Sequence, residues 1–489
     1  MNGAFRGCIR KAVEETRAFQ KREAFGQNIN KTERRGFLIT PHFSDQYSGI
    51  VRTTTAAVRS AMQFGQEWRK RDKDRLNQIS EQVAANWAIE AFGEVLGAEM
   101  SGDTDLTPEA IGRWCDEVLG LLRNRFEGRN SRKTHYFPCA IFPAGARLTN
   151  FAIGPVSFYQ RDMWLDHVEV AAKKDAHSAA VIQGIRKGLS LPAPPAPDGS
   201  GSGIHNDIAS ALRYIGEYRW IAGVTLQGGD DERSTERAHS AVRLAIDAIG
   251  VIFGKGIWEG MRGPGGERHD HMPIDISQGN DGGLTVPSWF NVRRENGLWA
   301  EHEFTEKAGA YCGIVGRAID AVLDISSGQA FSLRQRWCDA LLWFGEARRD
   351  SVGFMALAHY GVALDVLAEN GKANGICWLL TALFRLTPDS ALSQGCPELT
   401  LKKFVEIIYN ECRSQLTHGG RAGLLRDLPI DASVADNLVR RALEEYITQV
   451  DRYLADGGSG ESPPKQFIKW LESYLDRAPT PISALAPRL

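Results

Sequence analysis

The sequence predicts a mainly α-helical protein, in which a mixed α+β N-terminal region precedes a C-terminal antiparallel helical bundle. Three observations carry that expectation. Residues 5 to about 125 are rich in Ala, Glu, Arg, Gln and Leu, with apolar residues at helical spacing. From His135 the texture turns to β-branched and aromatic residues broken by Gly and Pro. Beyond about residue 332, long amphipathic segments are joined by short connections. At 489 residues, 43% hydrophobic and 24% charged, the chain exceeds the roughly 250–300 residues that one core supports. The divisions expected are 1–130, mainly helical; 131–330, mixed α+β; and 331–489, the helical bundle.

The elements follow in order. Leu76, Ile79, Val83, Trp87, Ala91 and Val95 repeat at helical spacing and predict a helix over 74–96. Thr107 is placed as an N-cap, with Pro108 in the first turn of a helix running through Ile111 to Leu122. Residues 136–142 and 151–159 read as short strands, and helical spacing returns over 165–189. The Pro-rich stretch from Ser190 runs into a Gly/Ser hinge ending at Gly203, a linker over 190–203. Trp220 to Leu226 is a buried strand, followed by a helix through Ala238, Val242, Leu244, Ala245 and Ile249. Residues 258–298 hold so many Gly, Pro, Asn and Asp that a long irregular loop is predicted.

From Ala308 the chain is expected to be helical almost to its end. Ser332 is an N-cap candidate for a helix carrying Trp337, Leu341, Leu342 and Phe344. A second helix runs from Ser351 to Glu369, a third from about Gly375 to Leu386, and a fourth follows Pro397 and stops at Gly419-Gly420. A fifth spans Val434 to Leu454. Trp337, Trp343 and Trp378 are expected in the core.

Composition removes several classes of function. The 58 Lys+Arg against 60 Asp+Glu give a net charge of −2, so no chain-wide field attracts nucleic acid or an anionic membrane, and any such partner needs a local patch. Eight cysteines are scattered without zinc-ligand spacing, a pattern of reduced thiols. The N-terminus has no apolar signal-like core, and Ile376 to Phe384 is about half the length of a bilayer span, so a cytoplasmic location without membrane contact is expected. No P-loop spacing occurs. His269-Asp270-His271 forms a poor metal cage without a distant third ligand, and neither metal nor cofactor is expected. The run from Arg69 to Arg75 mixes cations with two acids and reads as a solvated helix face.

The most chemically suggestive stretch is Ile408 to Gly420. Arg413 and His418 lie about 140° apart on a regular α-helix, and they converge more easily if His418 sits at a frayed end before the two glycines. An imidazole moves protons near neutral pH, and a guanidinium holds phosphate by two parallel hydrogen bonds. RNA cleavage without a metal asks for both: a base for the 2′-hydroxyl and a cation for the charge gathering on phosphorus. Ser414 and Thr417 add polar contacts, and Arg421, with Arg348, Arg349 and Arg426, is a candidate for the RNA backbone. Spacing alone carries little, since six of the eleven histidines follow an Arg with four to six residues between. The same two residues also fit a structural role, complementing the macrodipole at a helix C-terminus.

Tyr409-Asn410-Glu411-Cys412-Arg413-Ser414-Gln415-Leu416-Thr417-His418-Gly419 resembles the Arg-Ser-x-x-x-His-Gly signature of ApeA-like HEPN domains. Trp343-Phe344-Gly345-Glu346-Ala347 is similar to another part of such domains, and Ala363-Leu364-Asp365-Val366-Leu367 to their Ala-Leu-Glu-x-Leu helix, with Asp365 in place of Glu. The resemblance covers roughly residues 332–455. It implies a helical bundle that dimerises and cuts RNA without metal, leaving 2′,3′-cyclic phosphate ends, with Arg413 and His418 catalytic. ApeA-like members are associated with bacterial defence against phage, and the resemblance implies an N-terminal region that senses a phage-derived trigger. Some HEPN domains are non-catalytic scaffolds, and a dimerisation or interaction platform is the alternative expectation.

Overall fold

The computed structural model describes residues 3–24, 35–39, 50–71, 76, 79–99, 106–128, 132–142, 148, 150–189, 203–215, 218–227, 231–253, 276–285, 304, 308–323, 331–350, 353–369, 371–393, 396–414, 430–459 and 464–477. The protein is mainly helical with a small antiparallel sheet. It is organised as two compact units: residues 1–132 with 227–235, and residues 133–226 with 236–489.

The first unit holds helices α1 (Gly3–Ala24), α2 (Thr55–Arg71), α3 (Glu81–Glu99) and α4 (Pro108–Gly128), with a hairpin of β1 (Arg35–Ile39) and β2 (Ile50–Thr54). Thr107 caps α4 as expected, its Oγ1 accepting from the Ala110 N–H at 3.2 Å. The helix expected over 74–96 begins later, at Glu81, because Ser80 takes the capping position and accepts from Val83 N–H at 3.2 Å. Leu76 and Ile79 are still buried, packed from outside that helix. Phe5, Phe64 and Phe92 pack in sequence through the core, the first pair tilted and the second edge to face, with ring centroids 4.5 and 5.2 Å apart. Of the basic run, Lys70 and Arg71 are exposed, as a solvated face requires, with Arg71 lying over the Phe5 ring at 4.3 Å; Arg69 turns inward, its Nε donating to the Ile79 carbonyl at 2.7 Å.

The second unit is built on a six-stranded sheet of order β4-β5-β6-β3-β7-β8, with β3 (Arg132–Cys139), β4 (Asn150–Ile153), β5 (Val156–Gln160), β6 (Trp220–Gln227), β7 (Ile276–Gln278) and β8 (Leu284–Thr285). The expected loop over 258–298 therefore contains a two-stranded edge at its middle, strands of three and two residues that leave little periodicity to detect. Helices α5 (Arg161–Ala172), α6 (Ala176–Leu189) and α7 (Gly203–Ile215) cover one face, packing on Tyr136 and Ile221. The other face, carrying Phe137, Cys139, Val156, Phe158, Trp220, Ala222 and Val224, joins the core of the later helices. The period-2 alternation of β3, β5 and β6 thus feeds two cores, as a sheet covered on both faces requires. Gly154 turns β4 into β5 with φ +57°, and a Cβ there would lie 2.5 Å from the Gly316 carbonyl oxygen. Of the expected linker, residues 190–202 lie outside the described residues and Gly203 opens α7.

The later helices are α8 (Asp231–Phe253), α9 (Gly309–Leu323), α10 (Phe331–Arg349), α11 (Gly353–Leu367), α12 (Lys372–Phe384), α13 (Leu401–Val405), α14 (Ala432–Ala455) and α15 (Pro464–Arg477). The first turns of α8 belong to the first unit. Helices α10 and α11 pack against each other and both pack against α14. Ser332 does not cap α10, which has already begun at Phe331. The expectation that the chain is helical almost to its end is corrected between the third and fourth of the expected helices by a hairpin of β9 (Ala391–Ser393) and β10 (Cys396–Thr400), in which Pro397 lies in a two-stranded edge where its missing N–H is tolerated. Trp337 is fully buried, its Nε1 donating to the Leu443 carbonyl at 2.9 Å. Trp343, expected in the core, is instead 39% exposed. Trp378 is half-buried and donates to Glu472.

Candidate functional site

The segment carrying Arg413 starts conventionally and then changes pitch. Thr400 caps α13, its Oγ1 accepting from Lys403 N–H at 3.3 Å, and Leu401, Phe404 and Val405 are buried. From Glu406 to Arg413 the helix continues as a π-helix, closed by the Ser414 N–H on the Tyr409 carbonyl five residues back. Ile407, Ile408 and Tyr409 are buried in succession, as is Cys412. Three consecutive residues sweep about 200° of an ordinary helix, so this segment needs neighbours on more than one side; α11 and α12 supply them. Such π segments occur often at functional sites.

Arg413 is held by two side chains, Asp365 and Tyr409. Its Nη2 donates to Asp365 Oδ2 at 3.0 Å, its Nη1 reaches the Tyr409 hydroxyl at 3.4 Å, and its Cζ lies 5.0 Å from the Tyr409 ring centre. Asp365 is buried on α11, while a quarter of the Arg413 side chain remains exposed. Burial raises the Asp365 pKa above the ordinary carboxylate value, opposed by the Arg413 guanidinium and by the Lys372 backbone N–H at the start of α12. The backbone approach is equally close: a Cβ on Gly361 would lie 2.8 Å from the Ile408 carbonyl oxygen and 3.2 Å from Arg413 Cβ. Burial also pushes the Cys412 thiol up to about 11, with Glu411 adding to the effect, which keeps it protonated and inert at neutral pH.

Of the residues the sequence singles out, Arg413 and Ser414 are placed: Ser414 is half-buried and closes the π segment. Thr417, His418 and Arg421 lie outside the described residues, as do Arg426 and the His269-Asp270-His271 stretch. Arg348 is not available to an RNA backbone, while Arg349 is tied to a buried partner and keeps a quarter of its side chain exposed. Arg348 is fully buried and clamps Asp436 through Nε at 2.6 Å and Nη2 at 2.9 Å, and Arg349 pairs with the buried Asp247. Asp436 also accepts from the Tyr360 hydroxyl at 2.7 Å, and Arg348 Nη1 donates to the Gly250 carbonyl at 2.9 Å. Asp365 had one sequence signal beyond its place in the resemblance: it is the sole acid in Gly353–Leu367, an otherwise apolar helix, where a buried carboxylate needs a cation. Tyr360 and Asp436 had none, being 76 residues apart in the chain.

Among the described residues no cluster of three or more His, Cys, Asp or Glu is arranged to hold a metal ion, and no helix is long and apolar enough to cross a membrane. Cys8, Cys115, Cys139, Cys312, Cys338, Cys377 and Cys412 are free thiols. Comparison of the chain with protein families, with curated proteins and with solved structures gave no match.

Proposed function

We propose that this chain is an ApeA-like, HEPN-type endoribonuclease that works without a metal, acts in anti-phage defence in the cytoplasm, and uses its N-terminal region as sensor or regulator. The observation that carries the reading is the seat of Arg413: a guanidinium anchored on one side by Asp365 and Tyr409, with a quarter of its surface open, immediately before the Ser-x-x-x-His sequence. A cation oriented in this way loses little entropy in gripping a phosphate.

In the reaction, the ribose 2′-oxygen attacks the adjacent phosphorus, the bond from phosphorus to the 5′-oxygen breaks, and a 2′,3′-cyclic phosphate and a 5′-hydroxyl result. His418 takes the 2′ proton or supplies the one that the leaving oxygen needs, and Arg413 binds the phosphate and offsets its growing charge. Ser414, Thr417 and Arg421 contact the substrate, and a homodimer formed through the C-terminal helices brings two such pairs together. No cofactor enters.

The test is cleavage of RNA by the purified full chain in chelator-containing buffer. Cyclic-phosphate ends are expected, with activity lost in His418→Ala and in Arg413→Ala while the oligomeric state is kept. Activity that vanishes with chelator, or survives His418→Ala, defeats the mechanism. One observation favours a second reading, a non-catalytic dimerisation scaffold: the pairing of Arg413 with Asp365 is also what a purely structural clasp between two helices requires. That reading expects overexpression to leave growth unaffected, whereas the nuclease slows growth and both alanine variants relieve the effect.

A further inference from the structure

We propose that Tyr360 and Asp436 are positioning residues for Arg413, an inference whose kinetic arm rests on the nuclease reading. Helix α11 is the surface on which Arg413 sits. It supplies Asp365 as the ionic anchor, and at Gly361 it approaches so closely that no side chain fits between it and the π segment: a Cβ there would lie 2.8 Å from the Ile408 carbonyl oxygen and 3.2 Å from Arg413 Cβ. Apolar contacts through Leu357, Ala358, Ala363 and Leu364 fix how deeply α11 is buried, but such contacts are non-directional and tolerate sliding and rotation. Two buried polar contacts lie beside Gly361: His359 Nδ1 is 3.1 Å from Asp350 Oδ2, just past the end of α10, and the Tyr360 hydroxyl donates to Asp436 Oδ1 at 2.7 Å, the one of the two that reaches α14.

Asp436 is itself immobilised. Arg348 engages both of its oxygens in a fork and donates a third bond to the carbonyl of Gly250 on α8, while its guanidinium lies 4.4 Å over the Phe344 ring. One carboxylate therefore ties α10, α11 and α14 together, a single residue from the Arg413 seat. Burial and the neighbouring carboxylate push the Tyr360 phenol far above its ordinary range, so it remains a donor at every physiological pH. The geometry assigns this knot to holding the register of α11 against the π segment.

The experiment uses the full chain carrying Tyr360→Phe, which keeps the ring and removes the hydroxyl. Steady-state cleavage of a short RNA is expected to show KM raised about fivefold with kcat within about twofold; a loss of folded protein alone lowers apparent kcat and leaves KM unchanged. Amide hydrogen exchange is expected to accelerate about tenfold over Glu406–Arg413 while Pro464–Arg477 stays at its wild-type rate. Unchanged exchange over Glu406–Arg413, or acceleration spread evenly over the molecule, overturns the proposal. Cleavage with an unchanged KM overturns it as well. If the wild-type chain cuts no RNA, the nuclease reading falls and the exchange result alone decides the positioning role. Should Tyr360→Phe fail to fold, Phe344→Leu, which withdraws the ring under Arg348 and keeps every hydrogen bond, is read by the same two measurements.

Discussion

Asp365 sets the behaviour of the site at the level of single groups. Its carboxyl is buried, which raises its pKa, and the nearby guanidinium and amide only partly offset that cost. A group whose folded-state pKa lies above its unfolded value favours the folded state most below the unfolded value, and that contribution is lost as pH rises through the folded value. The ion pair with Arg413 exists only on the alkaline side of the same transition. Urea unfolding followed across pH is therefore expected to show wild-type stability gaining less with rising pH, between the ordinary carboxylate range and neutrality, than Asp365→Asn does. Equal slopes in the two proteins would remove the raised pKa from the account. The neighbouring pairs differ in kind: Arg348 and Asp436 have side chains 0% and 3% exposed, so removing either leaves a buried charge alone, a loss of about 3–5 kcal/mol.

At the scale of elements, the change of pitch after Val405 decides where Arg413 points. In an i→i+5 stretch each turn holds an extra residue, and taking one out restores the ordinary helix and swings later side chains by about 100°. Deleting the exposed Asn410 is expected to leave far-ultraviolet helicity unchanged and to uncouple Arg413 from Asp365. The measurement is a double-mutant cycle between Asp365→Asn and Arg413→Gln: their coupling energy, present in the full-length helix, is expected to vanish in the deletion background. A deletion that preserves the coupling would show that the pitch does not orient the arginine.

This scale also shows what the sequence can carry. Thr107-Pro108 was legible because capping is local chemistry, and the strands of the sheet were legible because 136–142, 151–159 and 220–226 are short apolar runs rich in aromatic and β-branched residues and bounded or broken by Gly and Pro. The β1–β2 and β9–β10 hairpins were missed: five-residue and shorter strands beside long helices offer little period to count. The π segment was missed for another reason, since its residues alone have the spacing of an apolar helix and the added residue per turn is fixed by what α11 and α12 press against it. Arg413 could be nominated from its neighbours in sequence. Its anchor Asp365 is 48 residues away, and Arg348 is 88 residues from Asp436, so those pairings are products of packing. The same distance explains why Arg348 looked available: an arginine's exposure is set by elements remote in the chain.

At the scale of the whole molecule, the two compact units hold separate apolar clusters. Trp68, Trp87 and Trp114 lie in the core of the first, and Trp220 and Trp337 in that of the second. Each unit has enough buried surface to unfold cooperatively by itself. Scanning calorimetry is expected to give a calorimetric enthalpy larger than the van't Hoff value, the mark of more than one cooperative step. A ratio of one would mean that the chain melts as a single body.

The end of α8 has a mechanical consequence. The last carbonyls of a helix lack partners within it, and at Gly250 and Val251 those oxygens are taken by guanidiniums from α10 and α14, Arg348 at 2.9 Å and Arg440 at 3.0 Å. Helix ends usually fray first, yet here unwinding the final turn would strip two cations of acceptors in a place that water reaches poorly. The terminus works as a latch: α8 is released only when α10 and α14 loosen with it, so the three helices share one threshold for opening.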